Sequence, residues 1–268
     1  MKLEGINGAT VLFGIIGDPV AAVRSPEVFN SMFTRENLNA VFIPIHVHQD
    51  DLAAAWAGLT AIRNLRGIVV TMPHKLRIAS FLDVVGDTGK FTGAVNAVKR
   101  DSDGRWFGEM FDGHGFVAGL RDQGHEPRNW KVSLHGLGGA GSAIAFALAQ
   151  AGVKSLCLND VDSKKSAAIS RKLQAVFPAL ELSIGSAPLA ELDAVINATP
   201  SGMNPSDPLV FDPSDYPPRT LVVDVITKPE MTPLLDLAAR TGHNVHTGKH
   251  MHLGQARLAA QFFGFEGV

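Results

Sequence analysis

Trp130-Lys131-Val132-Ser133-Leu134-His135-Gly136-Leu137-Gly138-Gly139-Ala140-Gly141 is the stretch on which the fold turns. Its first six residues read as a strand that runs directly into glycines and an alanine-rich helix. Gly136, Gly138 and Gly141 fit G-x-G-x-x-G between a strand and a helix. The first glycine permits a tight turn, the second lets backbone approach a pyrophosphate, and the third allows close helix–strand packing. The helix N-terminus then offers N–H groups to the anion. With Gly139 and Ala140, these residues form a candidate dinucleotide-binding loop; the bland alternative is a glycine-rich turn of structural use only.

After the next strand, near Leu156–Asn159, comes Asn159-Asp160-Val161-Asp162. A carboxylate at the end of that strand accepts hydrogen bonds from the adenosine ribose hydroxyls and repels a 2′-phosphate. A cation is the expected partner for that phosphate, and none occurs before Lys164. Asp160 therefore predicts NAD in preference to NADP, while Asp162 serves as N-cap of the following helix.

Outward from this loop, strand-like and helix-like segments alternate from end to end, which predicts an α/β fold with mainly parallel sheets. Further strands are expected near Ala194–Ala198 and Leu221–Val225, and a last helix over Met251–Phe263. In the first half, Val11–Ile16 reads as a strand, and Ser25-Pro26 as a helix start with Ser25 as N-cap. Val41–Ile45 is a strand whose Pro44 suggests an edge or a bulge, followed by a helix through Leu52–Ile62. Ala94–Val98 and Arg105–Gly108 flank Asp101-Ser102-Asp103-Gly104, a hairpin signal. The domains are placed at 1–113, with a C-terminal helix over 249–268 packing back on it, and at 114–248 for a Rossmann unit. A helix through Gly115–Arg121 bridges the two.

Gly67-Ile68-Val69-Val70 reads as a buried strand leading to Thr71-Met72-Pro73-His74-Lys75. Pro73 ends the strand and fits the first turn of a helix. Thr71 and Lys75 are thereby presented together at a strand's carboxyl end, where open α/β sheets place their ligands. A lysine there can serve as acid, base or anion clamp.

The bulk properties narrow the class. The chain has 268 residues, 46% of them hydrophobic and 19% charged, as in an ordinary soluble globular protein. A net charge of −2 gives no electrostatic reason to expect nucleic acid or an anionic membrane. The single cysteine, Cys157, lies in an apolar run and fits a buried strand thiol in a reducing compartment. There is no signal-peptide pattern and no bilayer-length apolar stretch, so a cytoplasmic location is expected. His46-Val47-His48 places two imidazoles on one strand face, but without a third ligand at a recognisable spacing no metal is expected.

Taken with Arg24-Ser25-Pro26, Gly93-Ala94-Val95-Asn96, Phe111-Asp112-Gly113, Asn197-Ala198-Thr199-Pro200-Ser201-Gly202-Met203 and Gly248…Gln255, the lysine segment and the glycine turn resemble the shikimate/quinate dehydrogenase family. The words occur in the family's order and spacing and cover nearly the whole chain. The resemblance implies a two-domain enzyme with a small-molecule substrate bound in the cleft between the halves, as monomer or homodimer. It implies that Lys75 and Asp112 form the catalytic pair at the hydroxyl being oxidised, and that Asn96 and Gln255 hydrogen-bond ring hydroxyls. Ser25 and Thr71 would belong to the substrate set, towards its carboxylate. Thr199, with the backbone near Val225 and Gly248, would line the nicotinamide end of NAD.

Three positions depart from the family's pattern. Its Ser-x-Ser is here Val23-Arg24-Ser25, its Asn-x-Thr is Val69-Val70-Thr71, and a tyrosine after Asp224 is replaced by Thr227. Each change removes a polar group from the region that would hold the substrate carboxylate. The word Gly248-Lys249-His250-Met251 also departs, and Lys249 or His250 is a candidate replacement cation. The expected function is an NAD-dependent dehydrogenase of a cyclic polyhydroxy acid such as shikimate or quinate, with altered substrate recognition. The alternatives are a dehydrogenase of an unrelated hydroxy acid and a non-catalytic NAD-binding sensor.

Overall fold

In the computed structural model, which describes residues 5–21, 23–185 and 187–265, the chain divides into two units. One comprises Met1–Phe111 with Ala256–Val268, the other Asp112–Gln255. The first contains β1 (Val11–Gly17), α1 (Ser25–Arg35), β2 (Ala40–His46), α2 (Leu52–Ala61), β3 (Leu65–Val70), α3 (Lys75–Ile78), β4 (Val84–Val85), α4 (Asp87–Thr92), β5 (Ala97–Arg100) and β6 (Trp106–Glu109). Its sheet runs β2-β1-β3-β5-β6-β4. The β2-β1-β3 part is parallel, β5 and β6 join antiparallel, and β4 is parallel to β6. Period-two alternation sorts the side chains. Phe13, Ile15 and Val69 enter a core with Phe29, Phe33 and Phe42, while Ile16, Ile68 and Val70 face Leu52 and Trp56. Pro44 lies on β2, an edge strand as its missing N–H predicts, opposite Ile15.

Local expectations need adjustment at several places. Ser25 is the first residue of α1 and Arg24 its N-cap, with no side-chain cap bond. Pro73 sits in the turn before α3, not in its first helical turn, and the Met72–Pro73 peptide is cis. The strand expected from Ala94 begins at Ala97. The Asp101–Gly104 turn is present, with the Asp101 carboxylate accepting from the N–H groups of Asp103 and Arg105. His46 and His48 do not pair: His46 Nε2 lies 2.7 Å from Asp18 Oδ1, whereas His48 is past the end of β2 beside Asp50.

The second unit contains α5 (Asp112–Asp122), β7 (Lys131–His135), α6 (Gly139–Gln150), β8 (Ser155–Asn159), α7 (Ser163–Val176), β9 (Glu181–Ile184), β10 (Ala194–Asn197), β11 (Leu221–Asp224), α8 (Pro233–Arg240) and β12 (Val245–His246). Its sheet is parallel throughout, in the order β12-β11-β10-β7-β8-β9. Successive strands diverge on either side of β7, the switch point at which such sheets bind ligands. Register places His135, Asn197 and Asp224 side by side at the carboxyl edge. The expected bridging helix α5 starts at Asp112 rather than Gly115. The last helix, α9 (Gly248–Phe262), belongs to the second unit up to Gln255 and to the first from Ala256 onward. No helix among the described residues is long and apolar enough to cross a membrane.

Candidate active site

Three features stitch together the carboxyl end of β3 in the first unit. The Val70 N–H donates to the Asn96 carbonyl (2.7 Å), the Val95 N–H to the Lys75 carbonyl (2.8 Å) and the Thr71 N–H to the Ile16 carbonyl (3.0 Å). Thr71, Lys75 and Asn96 are thus fixed around one strand end. Asn96 is 1% exposed, and its Oδ1 accepts the Phe111 N–H at 2.8 Å. Gly17 makes room for Thr71: a Cβ there would lie 2.3 Å from Thr71 Cγ2. His74, beside the lysine, is fully buried and its Nε2 donates to the Val47 carbonyl at 2.8 Å. It anchors the turn by a directed bond and not by packing alone. Ser25 is buried at the start of α1. Val69 and Val23 both belong to the phenylalanine core, so two positions at which the family pattern is polar are here part of one apolar cluster. Thr227, in the second unit, is exposed.

In the second unit, Gly136 adopts φ +91°, and a Cβ there would meet the Ala198 carbonyl at 2.8 Å. A Cβ on Gly141 would fall 1.9 Å from the Gly136 oxygen. Both are required for the turn itself. Gly138 and Gly139 are different, for nothing lies within 4 Å of a Cβ built on either. Space is open in front of them and Ala140 follows in the first turn of α6, whose Gly138 N-cap provides no side-chain acceptor for the leading N–H groups. An open glycine face with unpartnered helix N–H groups fits a pyrophosphate.

Asp160 is tied into this turn. Its Oδ2 accepts the Leu137 N–H at 2.7 Å and its Oδ1 the Asp162 N–H at 3.0 Å, with Lys165 Nζ 3.6 Å away. Burial opposes its ionisation, but the Asp162 and Leu137 N–H groups and the Lys165 charge outweigh that and hold the carboxyl below its usual range. Asp162 caps α7 through the Lys164 N–H at 2.9 Å.

The next two strand ends carry a buried polar network. Asn197 and Asp224 are fully buried, and the Asn197 amide donates to Asp224 Oδ2 (3.1 Å) and to the Ser201 carbonyl (3.0 Å). Asn197 Oδ1 accepts from the Thr199 N–H and hydroxyl, and Thr232 donates its hydroxyl to Asp224. Burial pushes the Asp224 carboxyl up, against the bonds from Ile226, Thr232 and Asn197. The Val225 N–H donates to the Asn197 carbonyl at 3.0 Å, and a Cβ on Gly248 would lie 2.3 Å from the Val225 oxygen. Thr199, Val225 and Gly248 therefore meet around one brace. Sequence reasoning missed the Asn197–Asp224–Thr232 contacts; the available signal was a polar residue ending each of two adjacent apolar strands.

Asp112 opens α5 and is 3% exposed, a placement that favours a carboxylate at a helix N-terminus. Gly115, one turn on, abuts Gln255: a Cβ on Gly115 would lie 2.6 Å from the Gln255 nitrogen. Asp112 and Gln255 thus stand on two helices in close backbone contact. Lys249 lies 3.4 Å from Glu230 in an exposed ion pair, and His250 stacks 4.8 Å from His246.

A parallel sheet with a glycine turn at its switch point, preceded by an α/β unit that presents a lysine at a strand end, defines an NAD(P)-dependent alcohol oxidoreductase. Known proteins give the particular kind. Residues 15–98 match the shikimate dehydrogenase substrate binding domain. The chain is 35% identical over 260 residues to shikimate dehydrogenase (NADP(+)) of Rubrobacter xylanophilus, covering 95% of this chain and 91% of that one. It superposes with TM-score 0.92 and 29% identity on shikimate 5-dehydrogenase from Listeria monocytogenes in complex with shikimate and NAD, covering 99% and 95% of the two chains. Ligand-free 5-ketofructose reductase of Gluconobacter sp. strain CHM43 gives TM-score 0.86 at 28% identity, covering 95% and 92%. The chain belongs to the shikimate dehydrogenase family.

Proposed function

We propose that the enzyme interconverts a secondary alcohol and a ketone on a cyclic, shikimate-like substrate, with Lys75 and Asp112 as the acid–base pair and NAD as the hydride carrier. The observation that carries this reading is the fixing of Thr71, Lys75 and Asn96 around the end of β3. A bound nicotinamide supplies the hydride acceptor, and the open Gly138–Gly139 face with the start of α6 would hold its pyrophosphate. Loss of hydride from an alcohol carbon requires the hydroxyl proton to leave as well. Lys75 stabilises the developing alkoxide and takes part in that proton's transfer, while Asp112 positions the ammonium and shares the proton. Asn96 and Gln255 orient ring hydroxyls, and Ser25 and Thr71 face the acid end of the substrate. In this reading the first unit binds substrate and the second binds NAD.

Preference for NAD rests on the charge of Asp160, since a carboxylate stabilised as an anion at the end of β8 disfavours a 2′-phosphate. Initial rates with both cofactors test it at 340 nm, the absorbance of the reduced nicotinamide. Asp160→Asn keeps an oxygen for the Leu137 N–H and removes the charge, so it should shift the NAD-to-NADP ratio of kcat/KM towards NADP by about tenfold or more. An unchanged ratio would show that specificity is set elsewhere.

Val23 and Val69 favour a second reading for the substrate. Both belong to an apolar core cluster and offer a carboxylate none of the charge-assisted partners, each worth about 1.5–3 kcal/mol, that polar side chains would give it. A keto sugar without an acid group, as in the name 5-ketofructose reductase of the Gluconobacter relative, loses nothing there. Shikimate, quinate and neutral cyclic polyols should be compared in one panel. Higher kcat/KM with the acids supports the first reading, and the reverse order supports the second. Tight NAD binding with no turnover of any member would point to a non-catalytic sensor.

A further inference from the structure

The edge of the first sheet opposite Thr71 carries a second groove. Its volume is ≈ 410 Å³, and it lies at the amino ends of β1, β2 and β3, beside the end of β5. That volume is within the roughly 300–1,000 Å³ span of small-molecule sites. The floor is aromatic: Phe13, Phe263 and Phe265 line it, with ring centroids 5.3 Å apart for Phe13–Phe263 and 5.1 Å for Phe13–Phe265. The rim is cationic, formed by Arg66, Lys99 and Arg100, with Arg63 close enough to act on Arg100.

None of these four cations has a carboxylate partner among the described residues. Lys99 Nζ rests 4.4 Å over the Phe262 ring and the Arg100 guanidinium 4.7 Å over Trp106. Cation–π contact of this kind gives about 0.5–1 kcal/mol at exposed sites, less than a charge-assisted hydrogen bond. Arg100 donates to the carbonyls of Ile62 and Thr60, yet its Nε is buried without a partner. Burial, then the like charges of Arg63 and Arg66, hold its pKa below the usual range. An anion in the groove would relieve that repulsion.

We propose that this groove is a binding site for a small aromatic carboxylate, its ring on the phenylalanine floor and its acid group among Arg66, Lys99 and Arg100. The planar acid matches guanidinium geometry, and the ring matches a floor of half-buried Phe263 and Phe265 laid over buried Phe13. The site stands at the opposite edge of the sheet from Thr71, so its ligand need not resemble the dehydrogenase substrate.

Amide chemical shifts of the full-length chain, titrated separately with 3-phenylpropanoate, benzyl alcohol and inorganic phosphate, test the assignment. 3-Phenylpropanoate should give saturable shifts confined to residues 9–13, 38–40, 66, 99–100 and 263–265. Benzyl alcohol and phosphate, each lacking one half of the recognised chemistry, should bind more weakly by about tenfold or more. The exposed-site variant Arg66→Glu and the double variant Arg66→Glu/Lys99→Glu should weaken 3-phenylpropanoate binding about tenfold or more, with the amide spectrum elsewhere unchanged. If the double variant does not fold, Arg66→Glu alone decides. Phosphate binding as tight as that of 3-phenylpropanoate would overturn the aromatic assignment. Shifts confined to Thr71 and Lys75, affinity indifferent to Arg66→Glu, or no saturable shifts in the groove would overturn the site.

Discussion

Lys75→Ala should lower kcat by about 10²–10⁴ while the dissociation constant for NAD stays within about twofold. The direction follows from where the residue is held. Its carbonyl accepts the Val95 N–H and it opens the short helix α3, so backbone bonds that alanine keeps position the side chain. The glycine turn proposed to hold the dinucleotide belongs to the other unit, on β7 and α6. Steady-state rates with the best substrate of the panel give kcat, and quenching of intrinsic fluorescence by NAD gives affinity. A variant that turns over at the normal rate would remove Lys75 from the chemistry. Loss of NAD affinity in parallel would mean that the change had propagated beyond the substrate side.

Acidification should destabilise the protein over a window set by two imidazoles, half-buried His135 and buried His246. Burial pushes His135 down from the ordinary 6.5 to about 4. His246 is 3% exposed and is pushed down to about 4 by burial and then by His250 and His125, whose rings lie 4.8 Å and 6.1 Å from its own. Its Nε2 is buried without a partner. Both groups have folded-state values below their unfolded ones, so the unfolded chain takes up protons first as the pH falls. Stability is therefore fully present above about pH 6.5 and is lost progressively down to about pH 4, each imidazole adding about 1.4 kcal/mol per pH unit inside the window. Across the whole window the loss approaches ~3 kcal/mol per histidine, large beside the 5–15 kcal/mol typical of a domain. Urea titrations from pH 7.5 to 4 measure it, and His246→Phe should flatten the profile by about half. Equal stability at pH 7 and pH 5 would exclude this origin of acid sensitivity.

Elements with a strong period and clear punctuation are legible in the sequence itself. β7, the glycine turn and α6 follow from an apolar run that ends in glycines, and Pro44 announced the edge position of β2. Short elements such as β4 and β12 are not, because two residues carry no periodicity and exist only through their neighbours. Ser25 looked like a cap by residue type, yet the chain enters α1 with Arg24 already near helical geometry, φ −106° and ψ −7°. Of the candidate site, Asp160 was found from its place after a strand, but its bond to the Leu137 N–H depends on the packing of β7 against β8. The brace between Asn197 and Asp224 depends in the same way on register between two strands 27 positions apart. Local sequence pattern does not carry such pairings.

The split ownership of α9 also bears on the order in which the protein is made. The second unit is one uninterrupted segment, Asp112–Gln255, and has all its strands once that segment leaves the ribosome. The first unit begins emerging earlier but cannot finish: Ala259, Ala260, Phe263 and Phe265, which close over Phe13 and Phe33, are synthesised only after the whole of the second unit. Until then its phenylalanine core stays open to solvent or to a chaperone. The unit whose translation starts first is therefore the one whose core is completed second.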